Sequence, residues 1–179
     1  MLILKRILLI LILIVSIVLI SAYFMPKDYA VEREITINKP SDSIFNYVRY
    51  LKNQNKFSVW ANIDPKMKST YKGTDGSVGA IAAWESDVKD VGVGEQEITK
   101  ITEGKRIDFA LRFKEPMNDT AVGFMSTEAV STNQTKVKWG IKGVFPYPMN
   151  VMMPMMKMDE MIGKDLQKRL ENLKAKMEQ

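Results

Sequence analysis

Residues 135–177 read TKVKWGIKGVFPYPMNVMMPMMKMDEMIGKDLQKRLENLKAKM, and the apolar period changes within them. Over 135–145, Val137, Trp139 and Ile141 alternate with Lys136, Lys138 and Lys142, the two-residue period of a strand with one wet face. From Met155 onward the apolar residues are Met155, Met158, Ile162, Leu166, Leu170, Leu173 and Met177, in steps of three and four. This predicts an amphipathic helix of some two dozen residues, with Lys164, Asp165, Lys168, Arg169, Glu171 and Lys174 turned largely outward. Pro154 falls in its first turn if Asn150 is the N-cap. A half-apolar strand followed directly by a half-apolar helix asks for a sheet upstream whose apolar face that helix covers.

The upstream sequence supplies one. VEREITIN (31–38) alternates as a first strand, and KPSDSIFNYVRYL (39–51) opens a helix at Pro40 and Ser41 with Ile44, Phe45, Val48 and Leu51 on one face. A short helical or looped piece, NQNKFSVWANIDP, runs to Pro65, where Asp64 reads as a turn residue. Strands follow with turn punctuation: KMKSTYKG, then SVGAIAAWES with Val78, Ala80, Ala82 and Trp84 on one face, then VGVGEQEITKI. RIDFALRF places Ile107, Phe109, Leu111 and Phe113 opposite Arg106, Asp108 and Arg112. TAVGFMSTEAV precedes the final strand. The fold class is α+β, a curved antiparallel sheet of six to seven strands wrapped around a long C-terminal helix. Ala80, Ala82, Gly94 and Gly123 on the facing side leave room for a cavity.

The chain's 179 residues suffice for one domain plus appendages. The first 24 residues, MLILKRILLILILIVSIVLISAYF, carry Lys5 and Arg6 and then an uncharged run to Phe24, about 27 Å as a helix and long enough to span a bilayer core. Residues 1–26 form a membrane anchor or an uncleaved signal, and residues 27–179 the folded domain. The run exceeds a usual signal core, and Ile20 occupies a cleavage position that prefers a small side chain, so a retained anchor is expected. The basic pair abuts the apolar run, whereas Asp28, Glu32 and Glu34 dilute Lys27, Arg33 and Lys39 beyond it. The expected topology is a cytoplasmic N-terminus and an exported domain in a bacterial cell.

Composition removes chemistry. The chain has no histidine and no cysteine, which excludes Ser-His-Asp and Cys-His catalysis, the common zinc sites, thiol redox work and haem ligation by those residues. The formal charge is +5, from 26 basic and 21 acidic residues. The basic residues are scattered among acids rather than gathered with aromatics, so no nucleic-acid partner is expected. Seven of the thirteen methionines lie in residues 147–163. Soft sulfurs suit copper(I), but no histidine assists them. Flexible apolar side chains suit a core or cavity wall, the reading preferred here, with 145–153 as the mouth of the cavity. No cofactor or metal is expected.

Several phrases resemble the SRPBCC superfamily, the START-like helix-grip fold, and in particular its polyketide cyclase/dehydrase and lipid-transport-like branch. They are FSVWANIDPKMKSTYKGTDGSVGAIAAWES, GVGEQEITKI, KRIDFALRF, VKWGIKGVFPYPMNVMM and MIGKDLQKRLENLK, and together they run through most of residues 31–176. The resemblance implies an apolar cavity between sheet and last helix, lined by Trp84, Gln96, Ile98, Phe109, Leu111, Trp139, Met155, Met158 and Ile162. It implies a hydrophobic small molecule or lipid as partner, alongside the membrane reached through the N-terminal helix. Arg169 stands where similar proteins carry a small residue, often glycine, and an arginine there would snorkel. Gln96 faces opposite to Glu95 and Glu97, and is either one amide in the pocket or a polar residue near a strand end. Tyr71, Tyr147 and Asp64 are ionisable, yet nothing in the sequence positions them as acids or bases. The reading preferred is a binding module; the alternative is a cyclase or dehydratase using a carboxylate or tyrosine.

Overall fold

The computed structural model describes residues 2–116 and 118–179; of the expected anchor, residue 1 lies outside them. The apolar N-terminal run forms helix α1 (Leu2–Phe24), the one helix among the described residues long and apolar enough to cross a membrane. Strand β1 (Asp28–Ile37) follows at once, then three short helices, α2 (Ser41–Val48), α3 (Leu51–Asn55) and α4 (Val59–Ile63). Six strands come next: β2 (Lys68–Lys72), β3 (Ile81–Glu85), β4 (Val93–Thr102), β5 (Arg106–Glu115), β6 (Asp119–Ser131) and β7 (Gln134–Val144). All seven strands join one antiparallel sheet in the order β1-β7-β6-β5-β4-β3-β2. Residues β2 to β7 form a meander, and β1 closes back onto β7, so the first and last strands are neighbours.

Alternation sets the two faces. Ile98, Ile107, Phe109, Met125, Val137 and Trp139 turn inward and are buried. The outer face carries charge: Arg112 reaches Glu95 at 2.9 Å and Glu97 at 2.5 Å, and Arg106 reaches Asp108 at 2.7 Å. Against the inner face lies α6 (Met158–Met177), whose Leu166, Leu170 and Leu173 are fully buried in the same core as Ile44, Phe45 and Val48 of α2. Cross-links fix its angle. Asp159 accepts from the Arg33 guanidinium at 2.9 Å, Lys174 donates to the Thr36 carbonyl at 2.9 Å, and Glu178 accepts from the Asn38 backbone N–H at 2.7 Å. This is the helix-grip arrangement.

Three local expectations change. Val78 does not continue the inner row of β3: it is 62 % exposed, because Gly79 at φ +84° turns the chain and the strand begins only at Ile81. The C-terminal helix is not continuous from Met155. A 3-10 turn (Met149–Met152) leads into a single turn α5 (Met153–Met156), and Lys157, left-handed at φ 46°, separates α5 from α6. The break destroys the phase between Met155 and Met158, and Met155 is left 84 % exposed.

Asn150 is the third change. Rather than capping the long helix, its buried amide donates to the backbone carbonyls of Ala22 at 2.6 Å and Met25 at 3.1 Å. Carbonyls at a helix C-terminus have no intrahelical donors, so Asn150 supplies what the end of α1 lacks. The methionine turn is thereby seated against the point where α1 leaves its helical run.

Candidate functional site

Between the sheet and the helices lies a cavity of about 60 Å³. Leu51, Gln54 and Asn55 of α3, Ser58 and Trp60 at α4, and Met67 roof one side. Ser69 and Tyr71 of β2, Ala82 and Trp84 of β3, Gln96 of β4, Trp139 of β7 and Arg169 of α6 complete the wall. Strand register explains the grouping: Tyr71 pairs with Ala82, Ala82 with Gln96, and Gln96 with Leu111, one row across the inner face. Alanine at 82 leaves space where a larger side chain would fill it.

All three tryptophans of the chain are in this wall. Trp60 and Trp84 have ring centroids 5.1 Å apart, and Phe113 packs edge-on to both at 6.4 and 6.0 Å. The Trp84 indole N–H donates to the Val91 carbonyl at 3.3 Å. Gln96 points inward, opposite to Glu95 and Glu97, and its amide donates to the Gln54 side-chain oxygen at 2.9 Å. The Gln54 amide donates in turn to the Val48 carbonyl at 2.7 Å. The site thus holds an ordered amide chain beside aromatic faces.

Arg169 does not snorkel. It is 9 % exposed, with its guanidinium carbon 4.3 Å from the Trp60 ring and 5.5 Å from that of Trp139. Its Nε lies 2.9 Å from Oδ2 of Asp165, four residues earlier on the same helix, and the two form an ion pair. Burial pulls the guanidinium below its ordinary pKa and Asp165 opposes the shift; from so basic a starting point it stays a cation. Position 169 is three residues after Leu166 and four before Leu173, so the helical period itself turns it inward.

Tyr71 is held above the usual phenol value, by burial first and by the charge of Asp75 second. It remains protonated at neutral pH and can donate, not abstract. Asp64 closes a turn: one oxygen accepts from the Lys66 backbone N–H at 2.9 Å and the other from the Ser86 hydroxyl at 2.5 Å. The Ser86 and Lys66 bonds hold its carboxyl below the ordinary range.

Of the residues expected to line a cavity, Trp84, Gln96 and Trp139 come together in this wall. Ile98 and Phe109 are packed in the core, and Leu111 is buried on the same inner face. Met158 and Ile162 are half-buried on the first turns of α6, and Met155 faces solvent. The methionine in the wall is Met67, and the seven of 147–163 lie elsewhere. Sequence reasoning missed Trp60, Gln54, Tyr71 and Arg169 as wall residues. Only for Arg169 did a signal exist, in the helical period.

The family model for polyketide cyclase / dehydrase and lipid transport matches residues 29–178. The chain belongs to this family. It is a member of the SRPBCC superfamily, and its match runs from β1 through α6, leaving α1 outside. Among solved structures, norcoclaurine synthase from Thalictrum flavum superposes with a TM-score of 0.63 at 10% identity, over 86% of this chain and 88% of that one. A protein from Nitrosospira multiformis gives 0.59 at 18% identity, over 83% and 95%. One from Chromobacterium violaceum gives 0.60 at 12%, over 84% and 97%. At such identities the likeness is one of fold. No curated protein matches the sequence significantly.

Proposed function

We propose that this family member is a membrane-anchored binding domain that holds a small hydrophobic ligand, lipid or polyketide-like, in the cavity between sheet and α6. The observation that carries the reading is the cavity wall itself, in which every tryptophan of the chain converges with an ordered amide pair. Apolar walls with a few fixed polar groups are the general form of small-molecule sites. A ligand larger than the present cavity of about 60 Å³ would require α3 and α4, each of five residues, to move outward. The cyclase or dehydratase alternative requires a base beside a donor, and the ionisable groups among the wall residues are Tyr71, held protonated, and Arg169.

Native mass spectrometry with solvent extraction of the full chain tests this. A reproducible co-purifying lipid or polyketide-like mass is expected, lost in Trp84→Ala; a clean apo mass after exposure to membrane lipid extract would overturn the reading.

Residues 1–26 are the anchor in this reading, with a cytoplasmic N-terminus and residues 27–179 exported. Asn150 seats its 3-10 turn, with exposed Met149 and Met152, beside the end of α1. The methionine turn then lies in the interfacial layer of the bilayer rather than over the cavity. Protease added to intact spheroplasts of an expressing bacterium is expected to digest the domain; full protection would reverse the topology.

A further inference from the structure

The buried guanidinium of Arg169 has more donors than the protein occupies. Its Nη2 is buried and has no hydrogen-bond acceptor among the described residues, although the residue forms part of the cavity wall. Asp165 balances the charge from one edge, its Oδ2 2.9 Å from Nε. A buried charge in this condition is costly unless further hydrogen bonds reach it, and a helix–sheet contact at position 169 is filled more simply by an apolar side chain. The Trp60 and Trp139 rings, with centroids 4.3 and 5.5 Å from the guanidinium carbon, hold the cation in place but accept none of its N–H groups.

We infer that Arg169 is a head-group anchor, and that the cavity takes an apolar molecule bearing a single carboxylate. The planar N–H edge matches a carboxylate, and such charge-assisted bonds are about twice as strong as neutral ones. A monoanion is favoured over a phosphate dianion because Asp165 already supplies one negative charge beside the guanidinium. The apolar body of the ligand lies against Trp60, Trp84 and Trp139, and the Gln96 amide offers it a second polar contact. This inference rests on the reading of the cavity as a ligand site and specifies the class of ligand.

Because all three tryptophans line the cavity, intrinsic fluorescence reports on it directly. The probes are phenylacetate and its uncharged isostere phenylacetamide, titrated into the full chain in nanodiscs of zwitterionic lipid. The acid is expected to change the emission saturably and to bind roughly tenfold or more tighter than the amide, the difference a charge-assisted bond supplies. Arg169→Met, which keeps the apolar bulk, abolishes that preference, whereas Arg169→Lys keeps the charge without the fork and retains part of it. Equal binding of acid and amide, or an acid preference that survives in Arg169→Met, would overturn the inference. The extracted native ligand separates the two readings: a neutral lipid in the cavity sinks the carboxylate and leaves the binding site standing. An empty cavity with no response to either probe sinks both.

Discussion

Leu170→Ala is expected to destabilise the full chain by about 2–5 kcal/mol, lowering the melting temperature in detergent by roughly 5–15 °C. Leu170 is fully buried where α6 meets the sheet, and it shares one core with Leu166, Leu173, Phe109 and Val137. Truncation there removes transfer free energy and leaves a void that a sheet held by six antiparallel pairings cannot collapse to fill. Lys168→Ala, on the exposed side of the same helix, is the control, with an expected change within about 0.5 kcal/mol. If both variants melt alike, α6 is not the element that closes the core.

Gly94→Ala is expected to cost about 1–3 kcal/mol and to alter tryptophan emission at the same time. Gly94 is buried directly beneath Trp84, its partner across β3 and β4. A Cβ at position 94 would lie 2.5 Å from the Trp84 indole and 2.8 Å from the backbone carbonyl oxygen of Arg112. The indole can swing, but the carbonyl is part of β5 and cannot, so the strain falls on Trp84 and through it on Trp60 and Phe113. The gain of alanine over glycine in a strand, at most about 1 kcal/mol, does not offset this. The variant therefore separates placement from composition: a rise in melting temperature with unchanged emission would mean that the Trp84 ring does not rest on Gly94. A fall in both, with weaker ligand retention, ties this glycine to the cavity wall.

The inner face of the sheet was legible because a strand's period is two. Once Ile98 is inward, Gln96 must be inward and Glu95 and Glu97 outward, and the pairing of both glutamates with Arg112 follows from that parity. Parity states a direction, not a neighbour. It does not reveal that Gln54, on a five-residue helix, would meet Gln96. Nor does it separate Ile98 and Phe109, sealed in the core, from Trp84, Gln96 and Trp139, which face a space. Charge alone puts Arg169 on the outer side of α6, whereas its spacing from Leu166 and Leu173 puts it inward. Composition and period disagreed there, and the period prevailed because two indoles cover the cation and Asp165 neutralises it.

The methionines show the complementary failure. Their spacing fits one continuous helix, but a single left-handed residue, Lys157, interrupts it, and no local pattern announces that. Asn150 read as an N-cap by its residue type, whereas its amide serves the carbonyls of Ala22 and Met25, more than a hundred residues earlier in the chain. The apolar N-terminal helix, the alternating strands and the covering helix, and so the helix-over-sheet architecture, are legible in the chain because they are written in short-range periods of apolar residues. The tertiary structure alone decided where the cavity opens, which side chains share it, that a cation lies within it, and that the methionine turn belongs to the end of α1. Those are meetings between residues far apart in the chain, fixed by packing and by the need of buried polar groups for partners, which no local period encodes.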